Sequence, residues 1–250
     1  MTEEHGQTII SLEGLAKSRG TTYRLEIPQM EVRAGDRIML LGDSGSGKST
    51  TLDLLALVLK PDDGGRFVWR PGGLDLDLNQ MWRGGRADDL GRLRLADLGY
   101  VLQTGGLLPF LNVRDNILLP AELKKMPAPD RQRRLEELFE VLKIGHLAQK
   151  YPGQISVGER QRTAIARAVV HEPALILADE PTASLDPPTA DRVFDLLLDL
   201  SRRSALVVAT HDRQRARRHG FEVFEIHFPP ERPGTAVLKG QSEGGPLCSV

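Results

Sequence analysis

The chain has 250 residues, with 33 Lys and Arg against 34 Asp and Glu, a net charge of −1, and 40% hydrophobic residues. This is the composition of a globular protein of one large or two small domains, and its near-zero charge gives no bulk attraction for nucleic acid or another polyanion. The single cysteine, Cys248, excludes an internal disulfide framework and fits a reducing compartment. The start, Met1-Thr2-Glu3-Glu4-His5, lacks the apolar core of a signal peptide, and no apolar run nears the ~20 residues of a membrane helix, so membrane association is expected only through a partner.

In chain order, residues 8–14 and 23–32 alternate apolar with polar side chains, as half-exposed strands do. Ala34-Gly35-Asp36 reads as a turn, and Arg37-Ile38-Met39-Leu40-Leu41 as a buried strand. Then comes Gly42-Asp43-Ser44-Gly45-Ser46-Gly47-Lys48-Ser49-Thr50, which fits G-x-x-x-x-G-K-[ST], the phosphate-binding P-loop. The following stretch, Thr51 to Leu59, reads as a helix. Strand, glycine loop and helix is the context the motif needs. Its glycines let successive backbone N–H groups turn inward toward phosphate oxygens, and the helix N-terminus adds partial positive charge. Lys48 supplies a point charge to the outer phosphates and Ser49 a hydroxyl for Mg²⁺.

Gly65 to Trp69 predicts a short strand. Residues 71–90, rich in Gly, Asp and Arg, predict a surface excursion, in which Asp75 and Asp77 belong to a strand face rather than a metal site. Leu98 to Leu102 predicts a strand ending at Gln103. From about 104 to 167 the pattern is helical, and Leu135, Leu138, Phe139 and Leu142 share one helix face. Leu175 to Ala178 is continuously apolar, as central parallel strands are. A helix from about Pro188 to Leu200 and a strand Ala205 to Thr210 follow. Strands alternating with helices imply an α/β fold with a mainly parallel sheet. After Phe228 the prolines and glycines lack periodicity, which predicts a flexible tail over 231–250.

Ligands of open parallel sheets sit beyond the carboxyl ends of the strands. Asp179 and Glu180 close one such strand: a carboxylate there can enter a Mg²⁺ shell, and its neighbour can orient or deprotonate a water. Gln103 and His211 end two others. Taken alone, each reads better as a capped strand end than as a group that positions water, metal or a γ-phosphate. Ser156 and Glu159 form a capping box at the head of the helix Thr163 to Val170, and that N-terminus is also a candidate anion site.

Taken together, these residues resemble the ATPase subunits of ATP-binding cassette (ABC) transporters, over residues 8 to about 228 and in family order. Gly42 to Ser49 is similar to Walker A, Gln103 to the Q-loop, and Leu175 to Asp179 to Walker B with Glu180 as catalytic glutamate. Ala183-Ser184-Leu185-Asp186 is similar to the D-loop and His211 to the switch histidine. Ile155-Ser156-Val157-Gly158-Glu159 stands where the family has its Leu-Ser-Gly-Gly-Gln signature. Residues 179–186 and 158–162 look most like the lipoprotein-releasing and macrolide-exporting branch.

The resemblance implies a P-loop core with an N-terminal antiparallel β-subdomain and an inserted helical subdomain near 104–167. It implies ATP and Mg²⁺ as ligands, with Lys48, Gln103, Glu180 and His211 in catalysis, Ser49, Gln103 and Asp179 at the metal, and Gly42 to Thr50, Ser156, Gly158 and Asp186 at the nucleotide. It further implies a sandwich dimer, a separate integral-membrane permease, and a position on the cytoplasmic face of the membrane. The stretch Thr104 to Val113 is expected to receive a short helix of that permease, with Leu108 and Phe110 among the anchors.

Two positions depart from the family pattern. Val157 replaces the first signature glycine, so a β-branched side chain crowds the phosphate approach. Arg19 stands where an adenine-stacking aromatic is usual, with Tyr23 nearby; both remain candidates for that contact. A DNA-repair type of ABC ATPase needs long heptads between Lys48 and Ser156, which are absent from the sequence. A regulatory module, in which ATP binding alone gates a partner, is opposed by Lys48, Asp179, Glu180 and His211, and favoured only by Val157.

Overall fold

The computed structural model describes residues 6–62 and 65–240. They divide into two compact units, one formed by the described residues up to Gly85 and from Ala209 onward, the other by Arg86–Val208.

In the first unit a long hairpin, β1 (Thr8–Arg19) and β2 (Tyr23–Arg33), turns at Gly20 and pairs antiparallel from Thr8↔Arg33 to Arg19↔Tyr23. Ile10, Leu12, Leu25 and Ile27 are wholly buried, as the alternation predicts. Further strands are β3 (Arg37–Leu41), β4 (Arg66–Trp69) and β5 (Leu76–Asp77), with β9 (Glu222–His227) and β10 (Thr235–Gly240) near the end of the chain. Their spatial order is β5-β4-β1-β2-β10-β9-β3. β3 runs parallel to β9, and β10 runs parallel to β2 and antiparallel to β9.

β10 corrects the expected tail. Ala236, Val237 and Leu238 are buried between two strands that satisfy their backbone, which a sequence window full of glycine and proline does not reveal. Residues 241–250 lie outside the described residues. Helix α1 (Lys48–Leu55) also stops short of Leu59: Leu57 takes φ 56°, and Val58 and Leu59 donate back to the Asp53 carbonyl. The excursion after β4 is in part ordered structure. Asp77 caps helix α2 (Leu78–Arg83) by accepting from Gln80 N, while Asp75 pairs with Arg66 and Arg70. Among the described residues no cluster of three or more His, Cys, Asp or Glu could hold a metal.

The second unit starts with helix α3 (Ala87–Asp97) and strand β6 (Leu98–Val101). Helices α4 (Val113–Leu123), α5 (Ala128–Leu142) and α6 (Val157–Val169) fill the stretch expected to be helical. β7 (Leu175–Asp179), helix α7 (Pro187–Leu200) and β8 (Ala205–Thr210) complete it, the boundary falling inside β8. β6 and β7 are parallel, Leu98↔Leu175 through Val101↔Ala178. A Cβ on Gly99 would lie 2.1 Å from the Ala168 carbonyl oxygen, so only glycine lets α6 settle this close to β6. On α5, Leu135, Leu138 and Leu142 are buried, while Phe139 is half-buried.

Two polar side chains, one buried and one half-buried, hold the loop between β6 and α4. Asn116, wholly buried, accepts from Leu108 N and donates to the carbonyls of Leu108, Leu111 and Asn112. Arg167 donates to the carbonyls of Gly105 and Gly106 at 2.9 and 2.8 Å.

His171 sits just beyond α6, 3% exposed, with Nε2 3.0 Å from the Leu98 carbonyl oxygen. Burial pushes its pKa down from 6.5 to about 4. Between these values the unfolded chain binds the proton and the folded one does not. Stability is therefore fully present above pH 6.5 and falls as pH drops toward 4, by about 3 kcal/mol at most. Denaturant titrations at pH 7.5 and 5.0 should show a smaller acid loss in His171→Gln than in the parent; an equal loss would contradict the assignment.

Candidate nucleotide site

In the first unit, the loop after β3 is shaped by its glycines. Gly47, the cap residue of α1, holds φ 112° and ψ 11°, and a Cβ there would lie 2.0 Å from the Tyr23 hydroxyl oxygen. Both the backbone angle and the space demand glycine. Lys48 is 8% exposed and folds back over the loop, donating to the carbonyls of Gly42 at 2.8 Å and Asp43 at 3.0 Å. Those bonds hold the ammonium at the loop rather than out in water. Ser46 N donates to the Asp43 carbonyl, and Thr51 pins the helix start through its N–H and hydroxyl to the Gly47 carbonyl. Asp43, Ser44, Gly45 and Ser49 are exposed, whereas Ser46, Gly47 and Thr50 are buried.

His211 stands one residue past β8. It lines a cavity of about 330 Å³ together with Gly42, Asp43, Ser46, Arg213 and Glu225. The hydrogen bond from Arg213 to Glu225 raises the arginine's pKa, and Asp43 adds to that. The structure thus brings the expected switch histidine and the loop start to one cavity. Tyr23 donates to the Ser46 carbonyl at 2.7 Å. Arg19 keeps an exposed guanidinium 3.6 Å from the Asp53 carboxylate.

In the second unit, Asp179 is the buried last residue of β7. Glu180 follows at φ 42°, a left-handed backbone that costs a non-glycine residue about 1–3 kcal/mol. Ala183 N closes the turn onto the Glu180 carbonyl. Since Val101 pairs with Ala178, the exposed Gln103 and the half-buried Glu180 each lie two residues beyond that pair, off the carboxyl edge of neighbouring strands. Asp186 caps α7 by accepting from Thr189 N at 3.2 Å, which holds its carboxyl below the usual range.

Ser156 caps α6. Its hydroxyl accepts from Glu159 N at 3.3 Å, and the Glu159 carboxylate accepts from Ser156 N at 2.7 Å, which lowers that carboxyl's pKa. The capping box is present as expected, and one carboxylate already faces this N-terminus. Val157, first residue of the helix, is 44% exposed. A Cβ on Gly158 would meet Thr189 and Leu185 only at ordinary contact distance.

An apolar groove of about 400 Å³ runs along this unit, with Leu95, Tyr100, Leu108, Leu119, Leu123 and His171 in its lining. Leu108 lies in it as expected; Phe110 is 72% exposed at the tip of the same loop and is not in the lining. The roles of Arg167 and Asn116 were not anticipated. Arg167 interrupts the apolar run Ala164 to Val170, the one visible signal that it has a buried partner. A further cavity of about 860 Å³, edged by Arg133, Arg134, Asp199 and Arg203, contains none of the motif residues.

The family profile of ABC transporters matches residues 25–183, more than half of the chain. The chain belongs to the ABC transporter family. It is an ATP-binding and ATP-hydrolysing subunit. Among curated relatives, the lipoprotein-releasing system ATP-binding protein LolD of Hydrogenovibrio crunogenus is 40% identical over 202 residues, covering 79% of this chain and 84% of the relative. LolD of Pseudomonas fluorescens is 38% identical over 218 residues, 86% of each. Among solved structures, a dimeric ATP-binding cassette in a post-hydrolysis state, bound to ADP and Pi, matches with a TM-score of 0.74. It is 28% identical and covers 91% of this chain and 96% of that one. The α/β P-loop fold expected from the sequence is that of these cassettes.

Proposed function

We propose that this ABC subunit binds Mg·ATP at Gly42 to Thr50, hydrolyses it with Glu180 as general base, and drives a membrane permease that releases lipoproteins. The observation that carries the chemistry is the glycine-shaped loop with Lys48 folded over it; within its own unit, the strained Glu180 directly after the buried Asp179 supports the choice of base. Lys48 leaves its carbonyl partners to meet the β- and γ-phosphates. Glu180 accepts a proton from the attacking water, Gln103 orients that water, and His211 donates to the γ-phosphate.

Ser49, Gln103 and Asp179 offer a hydroxyl, an amide oxygen and one carboxylate. That is the sparse hard-oxygen set that suits Mg²⁺, which keeps waters and phosphate oxygens in its shell rather than an all-protein cage. When bound, the metal neutralises charge on the β- and γ-phosphate oxygens.

A second copy of the chain completes each site. Ser156 and Gly158 at the head of α6, with Asp186, face the partner's nucleotide. Val157 crowds that contact. Val157→Gly should tighten ATP-dependent dimerisation by about tenfold, the scale of relieving one overpacked contact, and leave the monomer's ATP affinity unchanged. Equal dimerisation by light scattering would mean that the side chain points away.

No described helix is long and apolar enough to cross a membrane. The subunit sits on the cytoplasmic face, held by the permease, whose short helix enters the groove beside Leu108. The LolD relatives support lipoprotein as cargo. The test is to purify the membrane protein that accompanies the subunit, reconstitute both in liposomes, and follow ATP-dependent release of an acylated protein. Release of a macrolide instead, or of neither, would overturn the cargo assignment.

A further inference from the structure

Tyr23 opens β2 directly after the β1–β2 turn, and its hydroxyl donates to the Ser46 carbonyl at 2.7 Å. The ring lies against the loop closely enough that a Cβ on Gly47 would meet the hydroxyl at 2.0 Å and the ring carbon Cζ at 3.3 Å. Phe228 packs edge-on to the same ring, centroids 6.3 Å apart at 67°. Burial pushes the phenol up to about 12, so the hydroxyl remains a hydrogen-bond donor throughout the physiological range.

The Ser46 carbonyl and the Gly47 N–H belong to one peptide plane, and no cis peptide occurs among the described residues. In a trans peptide these two groups point to opposite sides. A carbonyl held toward Tyr23 therefore aims the Gly47 N–H away from it. The glycine at 47 has no side chain to resist rotation of that plane, so without an outside anchor the peptide can flip. Loss of one inward-facing N–H removes one donor from the phosphate cradle.

We propose that Tyr23 is a positioning residue that locks the Ser46–Gly47 peptide and so sets the loop's affinity for the phosphate chain. This rests on the reading of Gly42 to Thr50 as the phosphate site. It also separates Tyr23 from the adenine: its hydroxyl is committed to the loop and one ring contact to Phe228. Arg19, exposed beside Asp53, is then the remaining sequence-level candidate for the base contact.

Two probes distinguish these roles, Mg·ATP and magnesium tripolyphosphate, the second having no base to stack. Both are titrated into the full-length chain and into Tyr23→Phe, which keeps the ring and removes the hydroxyl. The proposal expects both affinities to fall by about five- to tenfold, the scale of one lost neutral hydrogen bond. It expects KM for ATP to rise in step, kcat to stay within about twofold, and the backbone amide resonance of Gly47 to shift in the nucleotide-free protein. A variant with a lowered unfolding midpoint but unchanged affinities would show a merely structural bond and overturn the proposal. Weaker ATP with unchanged tripolyphosphate would place Tyr23 at the base and overturn it too. Failure of the parent chain to bind either probe would defeat the phosphate-site reading itself, a result distinct from both.

Discussion

Glu180→Gln should bind ATP as the parent does and lose turnover by about 10²–10⁴-fold, the usual scale for a positioned general base. Glutamine keeps the shape and one oxygen but cannot accept the proton. The position is held in a left-handed backbone directly after the buried Asp179, so its carboxylate is aimed by the turn that Ala183 closes. Steady-state phosphate release measures the loss, and equilibrium binding of a fluorescent ATP analogue checks that the site is intact. Hydrolysis at the parent rate would remove Glu180 from the mechanism.

The second large effect is expected at the loop Thr104 to Val113. Phe110 is 72% exposed, so its truncation leaves the fold intact and changes stability by no more than about 0.5 kcal/mol. An exposed aromatic at the tip of a pinned loop is the type of residue that carries binding energy at an interface. Phe110→Ala should weaken assembly with the permease by about 2 kcal/mol, or about 30-fold, and reduce transport with it. Basal ATPase of the isolated subunit should hold. Leu108, which lines the apolar groove, should behave alike when changed to Asp. Co-purification and ATP-dependent release measure both, and normal assembly by either variant would place the permease elsewhere. Arg167, on the helix headed by Ser156, donates to Gly105 and Gly106 of the loop that follows Gln103, so that loop and that helix are tied by hydrogen bonds.

The elements legible in the sequence are those whose physics is local. An apolar run followed by Gly-x-x-x-x-Gly-Lys-Ser fixes a strand, a loop and a helix start within fifteen residues. Ser156 and Glu159 announce their own reciprocal cap, and Leu175 to Ala178 is apolar enough to be central in any sheet. Only the family resemblance singles out Gln103 and His211, which alone read better as strand ends.

What stayed hidden depends on distant partners. β10 is a strand because β2 and β9 flank it, not because Thr235 to Gly240 advertises one. Helix α3 buries only Leu90, so no apolar stripe marks it, and its first turn falls within residues 71–90, which read as a surface excursion. The Tyr23 hydroxyl and the Ser46 carbonyl are 23 residues apart in sequence, and Arg167 and Gly106 are 61 apart. No window-based pattern joins such pairs.

The account's central claim is that ATP closes two copies of this chain around the nucleotide and that hydrolysis releases them. Light scattering coupled to size exclusion, with Glu180→Gln at saturating Mg·ATP, tests it most directly. The account predicts a stable dimer of twice the 27.6 kDa chain mass with Mg·ATP and a monomer without nucleotide. A monomer in both conditions, with ATP shown to be bound, would contradict it.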